Sequence, residues 1–307
     1  MFDLLIVGGG PGGVSAGVYA SRKQLKTALV VEEWGGQSIV SDAVQNWIGT
    51  ISISGADLAK ALENHLKAYA GDIVTIRERV RVQSIVKNGE TFTATLSDGS
   101  TIESKAVLIT TGSSRRKLEV PGAERLDHKG LTYCATCDGP LFSDQDVVVI
   151  GGGNAAFESA AQLLAYTKSV TLLNRGETFR ADPVTVEKLS AHPNFKIITN
   201  AVPTEIMGEK FVSGMTYKDS VSGEVHTLNV GGIFVEIGLI PTTSFLAGLV
   251  PQDEMGRIII DPWTQQTGTK GVWAAGDCTN IKYHQNNISS GDAVKALEDI
   301  YVHLKTK

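Results

Sequence analysis

The sequence predicts an α/β protein of two domains, each a three-layer arrangement of helices, a parallel sheet and an antiparallel β-ribbon. Three observations predict it. A strand–glycine–helix pattern occurs near the start of the chain and again near its middle. Each copy is followed by alternating apolar and polar residues with turn signals, which indicates antiparallel strands. The length of 307 residues suits about two domains.

The first glycine pattern follows directly on the apolar run "LLIV" and precedes a helix of small residues. In the motif GxGxxG the glycines allow a tight turn, a close approach of backbone to pyrophosphate, and close packing of helix on strand. The helix N-terminus adds N–H groups for the phosphates. The next strand ends at Glu32 or Glu33, where a carboxylate can accept the 2′-hydroxyl of an adenosine ribose. The residues predicted to bind this first dinucleotide are Gly8, Gly10, Pro11, Gly13 and Glu32.

The second copy is "DVVVIGGGNAAFESAAQLL", with Gly151 and Gly153 in the loop and Ala156 at the third position. Its next strand ends at Asn174 and Arg175, so the basic residue Arg175 stands about where the first copy has an acidic residue. In a register one residue earlier, Asn174 would occupy that position instead. A base suits a ribose 2′-phosphate. One such motif is also found in ordinary tight turns, but two in the same context predict two Rossmann-like nucleotide-binding domains, with FAD in the first and NADPH in the second.

The segment "TYCATCDGPLF" carries two of the three cysteines, Cys134 and Cys137. A zinc site would need two more ligands at matching spacing, which the scattered histidines do not offer. A static disulfide across so short a loop would stabilise little. A redox dithiol is favoured, because CxxC pairs at a turn or helix start have one thiol of lowered pKa. Asp138 supplies a neighbouring carboxyl that could move protons. We therefore predict Cys134, Cys137 and Asp138 as catalytic residues, and no metal.

Composition excludes several other classes. The net charge of −5 argues against nucleic acid as a partner. Neither a cleavable leader nor an apolar run of membrane length is evident in the sequence, so we expect a cytosolic protein without membrane attachment. Three cysteines do not make a disulfide framework. The stripe of Leu58, Leu62, Leu66 and Tyr69 indicates a helix packed on a core.

Over nearly its whole length the chain resembles the low-molecular-weight thioredoxin reductases, and it is also similar to the flavoprotein part of the alkyl hydroperoxide reductase F subunit. The segments that carry the resemblance are "GGGPGG", "WGGQ", "QNWIG", "ITTG", "CATCDGPLF", "GGGNAAFESA", "FVEIGLIP" and "AAGDC". The resemblance implies an FAD domain at 1–114 and 245–307. It further implies an NAD(P)H domain inserted at 115–244, which carries the CxxC.

The resemblance also implies site residues. Those expected at FAD are Gly36, Gln37, Asn46, Thr111, Gly112, Gly276, Asp277 and Gln285, with Asp277 at the ribityl chain. Those added to the second nucleotide site are Asn154, Ala155, Glu158 and Arg180. In this family Cys137 faces the flavin, Cys134 attacks the outside disulfide, and Asp138 is the acid. The two domains rotate against each other between these steps, and the protein forms homodimers.

One departure concerns the electron donor. Thioredoxin reductases of this type follow the second strand with His-Arg-Arg and a further Arg, whereas this chain reads "NRGETFR". Arg175 and Arg180 match, but Asn174 stands for the His and Gly176 for the middle Arg. We expect NADPH, with NADH as the alternative, because the peroxide-reductase relatives carry an acid at this place and favour NADH.

The electron acceptor is expected to be a separate thioredoxin- or glutaredoxin-like protein. Three other interpretations stay open at the level of sequence. Electrons could arrive from ferredoxin, or leave to oxygen in a dithiol oxidase, or the protein could be a flavin redox sensor of low turnover. The third cysteine, Cys278, is expected to be a small buried residue beside the flavin rather than a redox thiol.

Overall fold

The computed structural model describes residues 1–41, 43–246 and 248–305. It divides into two compact units, the first formed by Met1–Ser114 with Ile240–Lys307, and the second by Arg115–Leu239. The chain therefore leaves the first unit at 114/115 and returns at 239/240, rather than at the predicted 244/245. The inserted unit is continuous in sequence, and each unit has its own sheets and its own core.

The helices and strands have the following bounds. The strands are β1 (Phe2–Gly9), β2 (Thr27–Trp34), β3 (Val74–Glu78), β4 (Val82–Asn88), β5 (Thr91–Leu96), β6 (Thr101–Ile109), β7 (Ser113–Arg115), β8 (Leu131–Thr132), β9 (Asp146–Ile150), β10 (Ser169–Leu173), β11 (Phe195–Ile198), β12 (Ala201–Gly208), β13 (Val212–Asp219), β14 (Val225–Leu228), β15 (Gly232–Val235), β16 (Leu239–Pro241) and β17 (Val272–Ala274). The α-helices are α1 (Pro11–Arg22), α2 (Gly55–Ala70), α3 (Ala135–Asp138), α4 (Asn154–Leu163), α5 (Pro183–Ser190) and α6 (Asn286–Lys305).

In the first unit, β3, β2, β1 and β6 lie side by side and parallel. The other edge of β6 has two partners: its first half pairs antiparallel with β5, and its second half pairs parallel with β17. Strands β4 and β5 complete the antiparallel ribbon. The ribbon turns at Gly99, whose φ of +82° suits a residue without a side chain. The predicted α/β class with a parallel core and a ribbon is thus confirmed.

Both faces of this parallel sheet are covered, which explains why its strands are continuous apolar runs. In β1, Leu4 and Ile6 pack with α1, α2 and α6, while Leu5 and Val7 pack with the ribbon on the opposite face. The predicted stripe on α2 is correct for its three leucines, which are buried. The prediction is wrong for Tyr69, which is 45% exposed. Tyr69 lies in the last turn of α2, where its ring is 5.9 Å from the Arg22 guanidinium, so it extends beyond the core.

The second unit repeats this design. Its parallel sheet has the order β11-β10-β9-β15-β8, and β12, β13 and β14 form an antiparallel ribbon. In β9, Val147 and Val149 face the core that includes α4, while Val148 and Ile150 face the core that includes Met215 of the ribbon. The strand order changes direction between β9 and β15, which is where ligands bind in open sheets of this kind.

Helix starts differ in a way that bears on function. Helix α2 begins after Ser54 and α5 after Asp182, and both side chains accept a backbone N–H of the first turn. Helices α1 and α4 begin after Gly10 and Gly153, which offer no side-chain cap. The N–H groups at the start of α1 and α4 therefore have no acceptor in the side chain of the cap residue. Among the described residues no helix is both long enough and apolar enough to span a bilayer.

Candidate active site and nucleotide sites

A cleft of about 410 Å³ opens in the first unit where β1, β2 and β6 end. Such crevices at the carboxyl ends of parallel strands are the usual nucleotide sites of open α/β sheets. The structure brings most of the residues predicted for FAD into its wall, namely Gly8, Gly10, Pro11, Glu32, Gly36, Gln37, Thr111, Gly112, Gly276 and Asp277.

The three motif glycines of this loop have different local roles. Gly8 has a φ of +121°, and a Cβ there would lie 2.4 Å from the carbonyl oxygen of Thr110. A Cβ on Gly10 would meet only the Cα of Gly36, 3.9 Å away, so the backbone here borders open space. A Cβ on Gly13 would lie 1.9 Å from the carbonyl oxygen of Gly8. Gly13 therefore lets α1 pack against β1 and does not itself line the cleft.

Asp277 is oriented by two neighbours. Gln37 Nε2 donates to Asp277 Oδ2 at 3.3 Å, and Ser289 Oγ donates to Asp277 Oδ1 at 3.4 Å. Gln37 also donates to Ser113 Oγ at 3.1 Å. The predicted residues Gln37 and Asp277 are thus hydrogen-bonded to each other, and the contact of Ser289, in the first turn of α6, with Asp277 was not predicted.

Two predicted residues, Asn46 and Gln285, lie outside the cleft wall but touch each other. Asn46 Nδ2 donates to Gln285 Oε1 at 3.1 Å. Asn287 Nδ2 donates to the backbone oxygen of Asn46 at 2.7 Å and its Oδ1 accepts from the amide of Ile48 at 3.4 Å. The segment 46–48 is therefore tied to the first turn of α6. The signal that could have found Asn287 is the pair of adjacent asparagines at a helix start.

Glu32 carries an ion pair that sequence reasoning missed. Arg81 Nη2 lies 2.9 Å from Glu32 Oε1, and both side chains are exposed at the cleft. Arg81 lies between Val80 and Val82, which form an apolar part of the same wall. The carboxylate of Glu32 keeps further acceptor capacity for a ribose hydroxyl.

The residues of this cleft fit a flavin dinucleotide. The backbone at Gly10 is open to close approach, the start of α1 has no side-chain cap, and a carboxylate stands at the end of β2. Beside the start of α6, His284 Nε2 and Ser290 Oγ are buried without a hydrogen-bond partner among the described residues. Buried polar atoms of this kind ordinarily have a partner, and a ligand could supply it.

The second glycine loop repeats the backbone of the first. Gly151 has a φ of +152°, and a Cβ there would lie 2.3 Å from the carbonyl oxygen of Glu236. A Cβ on Gly153 would meet nothing within 4 Å. The side chain of Asn154 accepts from the amide of Asp182 at 2.8 Å, which joins the start of α4 to the cap of α5. Ala155 and Glu158, also predicted here, are exposed on α4.

The segment after β10 separates its predicted residues into two kinds. Asn174 is buried, and its Nδ2 donates to the carbonyl oxygens of Gly176 and Thr178, both at 2.9 Å. Its side chain therefore shapes the loop from within. Arg175 and Arg180 are exposed, and within the described part of the chain neither has an ion pair or a side-chain hydrogen bond. Their guanidinium groups are available to an anion.

Glu236, at the end of β15, is a buried carboxyl that the sequence reasoning did not single out. Its side chain is 7% exposed, Ser159 Oγ donates to Oε1 at 2.7 Å, and Arg115 Nη1 lies 3.4 Å from Oε2. Burial raises the pKa of Glu236, although the Arg115 charge and the Ser159 hydrogen bond oppose the shift. Its own backbone oxygen faces Gly151, so this carboxyl stands at the edge of the second loop.

Cys134 and Cys137 form a disulfide, with their Cα atoms 5.3 Å apart. Helix α3 begins directly after Cys134, and the amide of Cys137 donates to Cys134 Sγ at 3.2 Å. Both cysteines are half-buried, so the pair is accessible. Asp138 ends α3, and its Oδ2 accepts a hydrogen bond from Thr132 Oγ1. The three predicted catalytic residues thus lie together on one short segment.

Cys278, directly after Asp277, belongs to the first unit and is buried, whereas the cysteine pair belongs to the second unit. Its Sγ donates to the carbonyl oxygens of Ala275 at 3.5 Å and Ile109 at 3.7 Å. Burial raises the pKa of this thiol to about 12. Across residues 1–41, 43–246 and 248–305, no cluster of three or more His, Cys, Asp and Glu side chains is arranged to hold a metal ion.

Comparison with curated proteins gives relatives with two different names. The chain is 39% identical over 295 residues to "NADH dehydrogenase" of Bacillus subtilis, and 39% identical over 296 residues to the alkyl hydroperoxide reductase F subunit of Escherichia coli. These matches cover 96% of this chain and 57% of each relative. The chain therefore spans a little more than half the length of the curated relatives it matches.

Solved structures give whole-length matches. Thioredoxin reductase from Streptococcus pyogenes superposes with a TM-score of 0.89 at 33% identity, covering 100% of this chain and 99% of that one. Thioredoxin reductase from T. acidophilum gives a TM-score of 0.67 at 38% identity, with 98% of both chains covered. The family model described as "Pyridine nucleotide-disulphide oxidoreductase" matches residues 2–291. With its paired glycine loops and disulfide-bonded cysteine pair, the chain belongs to the pyridine nucleotide-disulphide oxidoreductase family and has the fold of thioredoxin reductases.

Proposed function

We propose that this protein is an NAD(P)H-dependent, FAD-containing disulfide reductase that reduces a separate thioredoxin- or glutaredoxin-like protein through Cys134 and Cys137. The observation that carries the proposal is the disulfide at Cys134 and Cys137, with Asp138 beside it, in a chain that also has two glycine loops. The overall reaction converts NAD(P)H, a proton and one partner disulfide into NAD(P)⁺ and two partner thiols. A homodimer and a cytosolic location stay predictions.

FAD bound in the first cleft would supply the two-electron chemistry that connects a hydride donor with a disulfide. The residues expected to hold it are the glycines of the first loop with Glu32, Gln37, Thr111 and Asp277; the four side chains named all line that cleft. Gln37 and Ser289 fix the Asp277 carboxylate, so its direction is set before any ligand binds. Preorganisation of this kind lowers the cost of ordering side chains on binding.

The cysteine pair then exchanges with the partner. The thiolate of Cys134 attacks one sulfur of the partner disulfide, which breaks that bond and forms a mixed disulfide. The thiolate of Cys137 attacks Cys134 Sγ, which releases the second partner sulfur and restores the Cys134–Cys137 disulfide. Asp138, the residue after Cys137, is proposed to give a proton to a departing thiolate. The amide of Cys137, which donates to Cys134 Sγ, would favour charge on that sulfur and supports Cys134 as the attacking residue.

NADPH is the proposed donor, with NADH as the alternative. The exposed guanidinium groups of Arg175 and Arg180 stand after β10, where a ribose 2′-phosphate would lie. Arginine binds a phosphate group by paired hydrogen bonds. NADH has no 2′-phosphate on this ribose and cannot form them. NADH is kept as the alternative because one relative is named as an NADH dehydrogenase. In addition, Asn174 Nδ2 donates to the carbonyl oxygens of Gly176 and Thr178 in its own loop.

An anaerobic titration tests the proposal. Addition of NADPH to the flavin-loaded protein should bleach the flavin absorbance, and a thioredoxin-type disulfide should restore it over many cycles. The double variant Cys134→Ser, Cys137→Ser should still bleach but should not turn over. If only reduced ferredoxin bleached the flavin, ferredoxin would take the place of NAD(P)H as the electron donor. Recovery for a single cycle would point to a sensor, and rapid recovery with oxygen alone would point to a dithiol oxidase.

A further inference from the structure

Thr132 lies where the sheet of the second unit meets the redox segment. It is the last residue of β8, it is buried, and it pairs with Phe234 of β15. Alternate residues of a strand point to opposite faces. Leu131 and Tyr133 both belong to the core that contains Met215, so Thr132 faces the opposite side of the sheet, where Ala135 of α3 is packed.

The hydroxyl of Thr132 contacts two groups of the redox segment. Its Oγ1 donates to Asp138 Oδ2, and it accepts from the amide of Cys134 at 3.4 Å. A threonine hydroxyl has one proton to give. The Cys134 amide uses one lone pair of this oxygen, and the single hydroxyl proton goes to the Asp138 carboxyl. One atom thereby joins the backbone of a redox cysteine to the carboxyl beside it.

This connection is rigid at the threonine end. A β-branched side chain has few χ1 rotamers, and Thr132 is held in a parallel sheet on a buried strand. Asp138, by contrast, ends a helix of only four residues. Through Thr132, the sheet therefore contributes to the orientation of the Asp138 carboxyl at the end of α3.

We propose that Thr132 is the positioning residue of Asp138, holding the carboxyl group in the orientation from which it exchanges a proton with the sulfurs of Cys134 and Cys137. The inference rests on the proposed function in one respect, the assignment of Asp138 as the proton donor.

The proton transfer can be isolated with a small dithiol as reductant. Its thiolate attacks one cysteine sulfur and forms a mixed disulfide, the Cys134–Cys137 bond breaks, and the departing thiolate takes a proton from Asp138. The second sulfur of the dithiol then attacks the first, which closes the dithiol to its own disulfide and releases the other cysteine. The protein disulfide gains two electrons and the dithiol loses two.

The test measures reduction of the Cys134–Cys137 disulfide by dithiothreitol in the full-length flavoprotein, anaerobically and without a nicotinamide nucleotide. Samples are quenched with an alkylating reagent, and the alkylated cysteines are counted by mass spectrometry. Thr132→Val, which removes the hydroxyl at constant shape, should slow the reaction about tenfold, as expected for the loss of one hydrogen bond. Thr132→Ser should restore most of the rate. Asp138→Asn should be at least as slow as Thr132→Val.

The double variant Thr132→Val, Asp138→Asn decides whether the threonine acts through the aspartate. If it does, the double variant is no slower than Asp138→Asn alone. Additive losses would overturn the proposal, as would a wild-type rate in Thr132→Val or in Asp138→Asn. Thr136→Val is the matched control, because Thr136 lies between the two cysteines in sequence. Its hydroxyl donates to Gln162 Oε1 at 2.9 Å and not to Asp138, so loss of this hydroxyl should leave the rate unchanged.

A second measurement covers the case in which Thr132→Val melts at a lower temperature than wild type. The solvent deuterium isotope effect on the reduction rate reports proton transfer in the slow step. It should change in Thr132→Val as it does in Asp138→Asn, whereas damage to folding alone would leave it at the wild-type value. The proposed function fails separately: wild type would then be reduced normally by dithiothreitol while NADPH left its flavin coloured.

Discussion

The two glycine loops have the same backbone design but different surroundings. Gly8 and Gly151 both have positive φ, and behind each lies a carbonyl oxygen that would touch a Cβ, at 2.4 Å and 2.3 Å. The first loop lies in a walled cleft of about 410 Å³, whereas Gly153 of the second has nothing within 4 Å of its Cβ position. The motif thus specifies a turn and a helix start. What a loop binds is decided by residues far from it in sequence.

The third position of each motif shows how closely the helix packs against its glycine loop. In the first loop it is Gly13, where a Cβ would lie 1.9 Å from the carbonyl oxygen of Gly8. In the second it is Ala156, whose own Cβ is fully buried and lies 3.0 Å from the Cβ position of Gly151. Helix α4 therefore has room for a methyl group that α1 lacks. The tighter packing in the first unit also makes its loop the more sensitive of the two.

The largest effect is expected from Gly13→Ala, which would break the first loop. The new methyl group would meet backbone, which cannot move aside as a side chain can, so α1 must shift from β1. Overpacking of this kind costs roughly 1–3 kcal/mol, and the shift would also displace the N–H groups expected at the phosphates. We expect the purified variant to have lost most of its flavin, as measured by absorbance and by thermal melting with and without added FAD.

Ala156→Gly is the matched control in the second loop. It removes a methyl group at the same motif position and should cost about 1 kcal/mol through helix propensity and lost packing. Flavin content should stay at the wild-type level. Full flavin content in Gly13→Ala, or equal flavin loss in both variants, would show that the two loops do not differ as described.

The fold was largely predictable because its signals are local. The apolar runs and the two glycine motifs each lie within a short window, and each produced the predicted element. The contacts that orient side chains are not local. Arg81 reaches Glu32 across 49 positions, and Asn287 reaches Asn46 across 241. A local pattern can mark a residue such as Asn287, but it does not show which distant residue its side chain reaches.

Burial is the other property that a sequence pattern does not contain. Asn174 looked like a ligand-binding residue because it follows a strand that ends at a nucleotide loop. The structure shows its amide turned inward, onto the carbonyl oxygens of Gly176 and Thr178. Asn often makes local hydrogen bonds of this kind. Whether such a side chain points to a ligand or to its own loop depends on packing that a sequence pattern does not contain.

A smaller effect is expected when the anion-binding side chains of the second loop are removed. In Arg175→Ala, Arg180→Ala the KM for NADPH should rise about 10- to 100-fold, since hydrogen bonds to charged groups contribute roughly 1.5–3 kcal/mol. The KM for NADH should change little, because NADH lacks the 2′-phosphate. Steady-state kinetics with both nucleotides measure the two values, and raised ionic strength should weaken NADPH binding in the wild type alone.

Lys188→Ala is the control for general loss of positive charge, since Lys188 is an exposed cation on α5 of the same unit. Its KM for both nucleotides should match the wild type. An equal rise for NADPH and NADH in the double arginine variant would mean that these side chains contact the shared part of the nucleotide. A wild-type preference for NADH would overturn the assignment of NADPH as donor.

The smallest effect on turnover is expected from substitution of Cys278. This prediction compares the buried thiol with the half-buried Cys134–Cys137 pair. Its pKa is raised to about 12 by burial, so the thiol stays protonated throughout the working pH range and lacks the thiolate that exchange requires. Cys278→Ala should leave turnover nearly intact, whereas Cys134→Ala should abolish it. In the reduced wild type, iodoacetamide at about pH 8, near the ordinary thiol pKa, should label the pair and spare Cys278. Loss of turnover in Cys278→Ala with the flavin still bound would make this thiol part of the electron path.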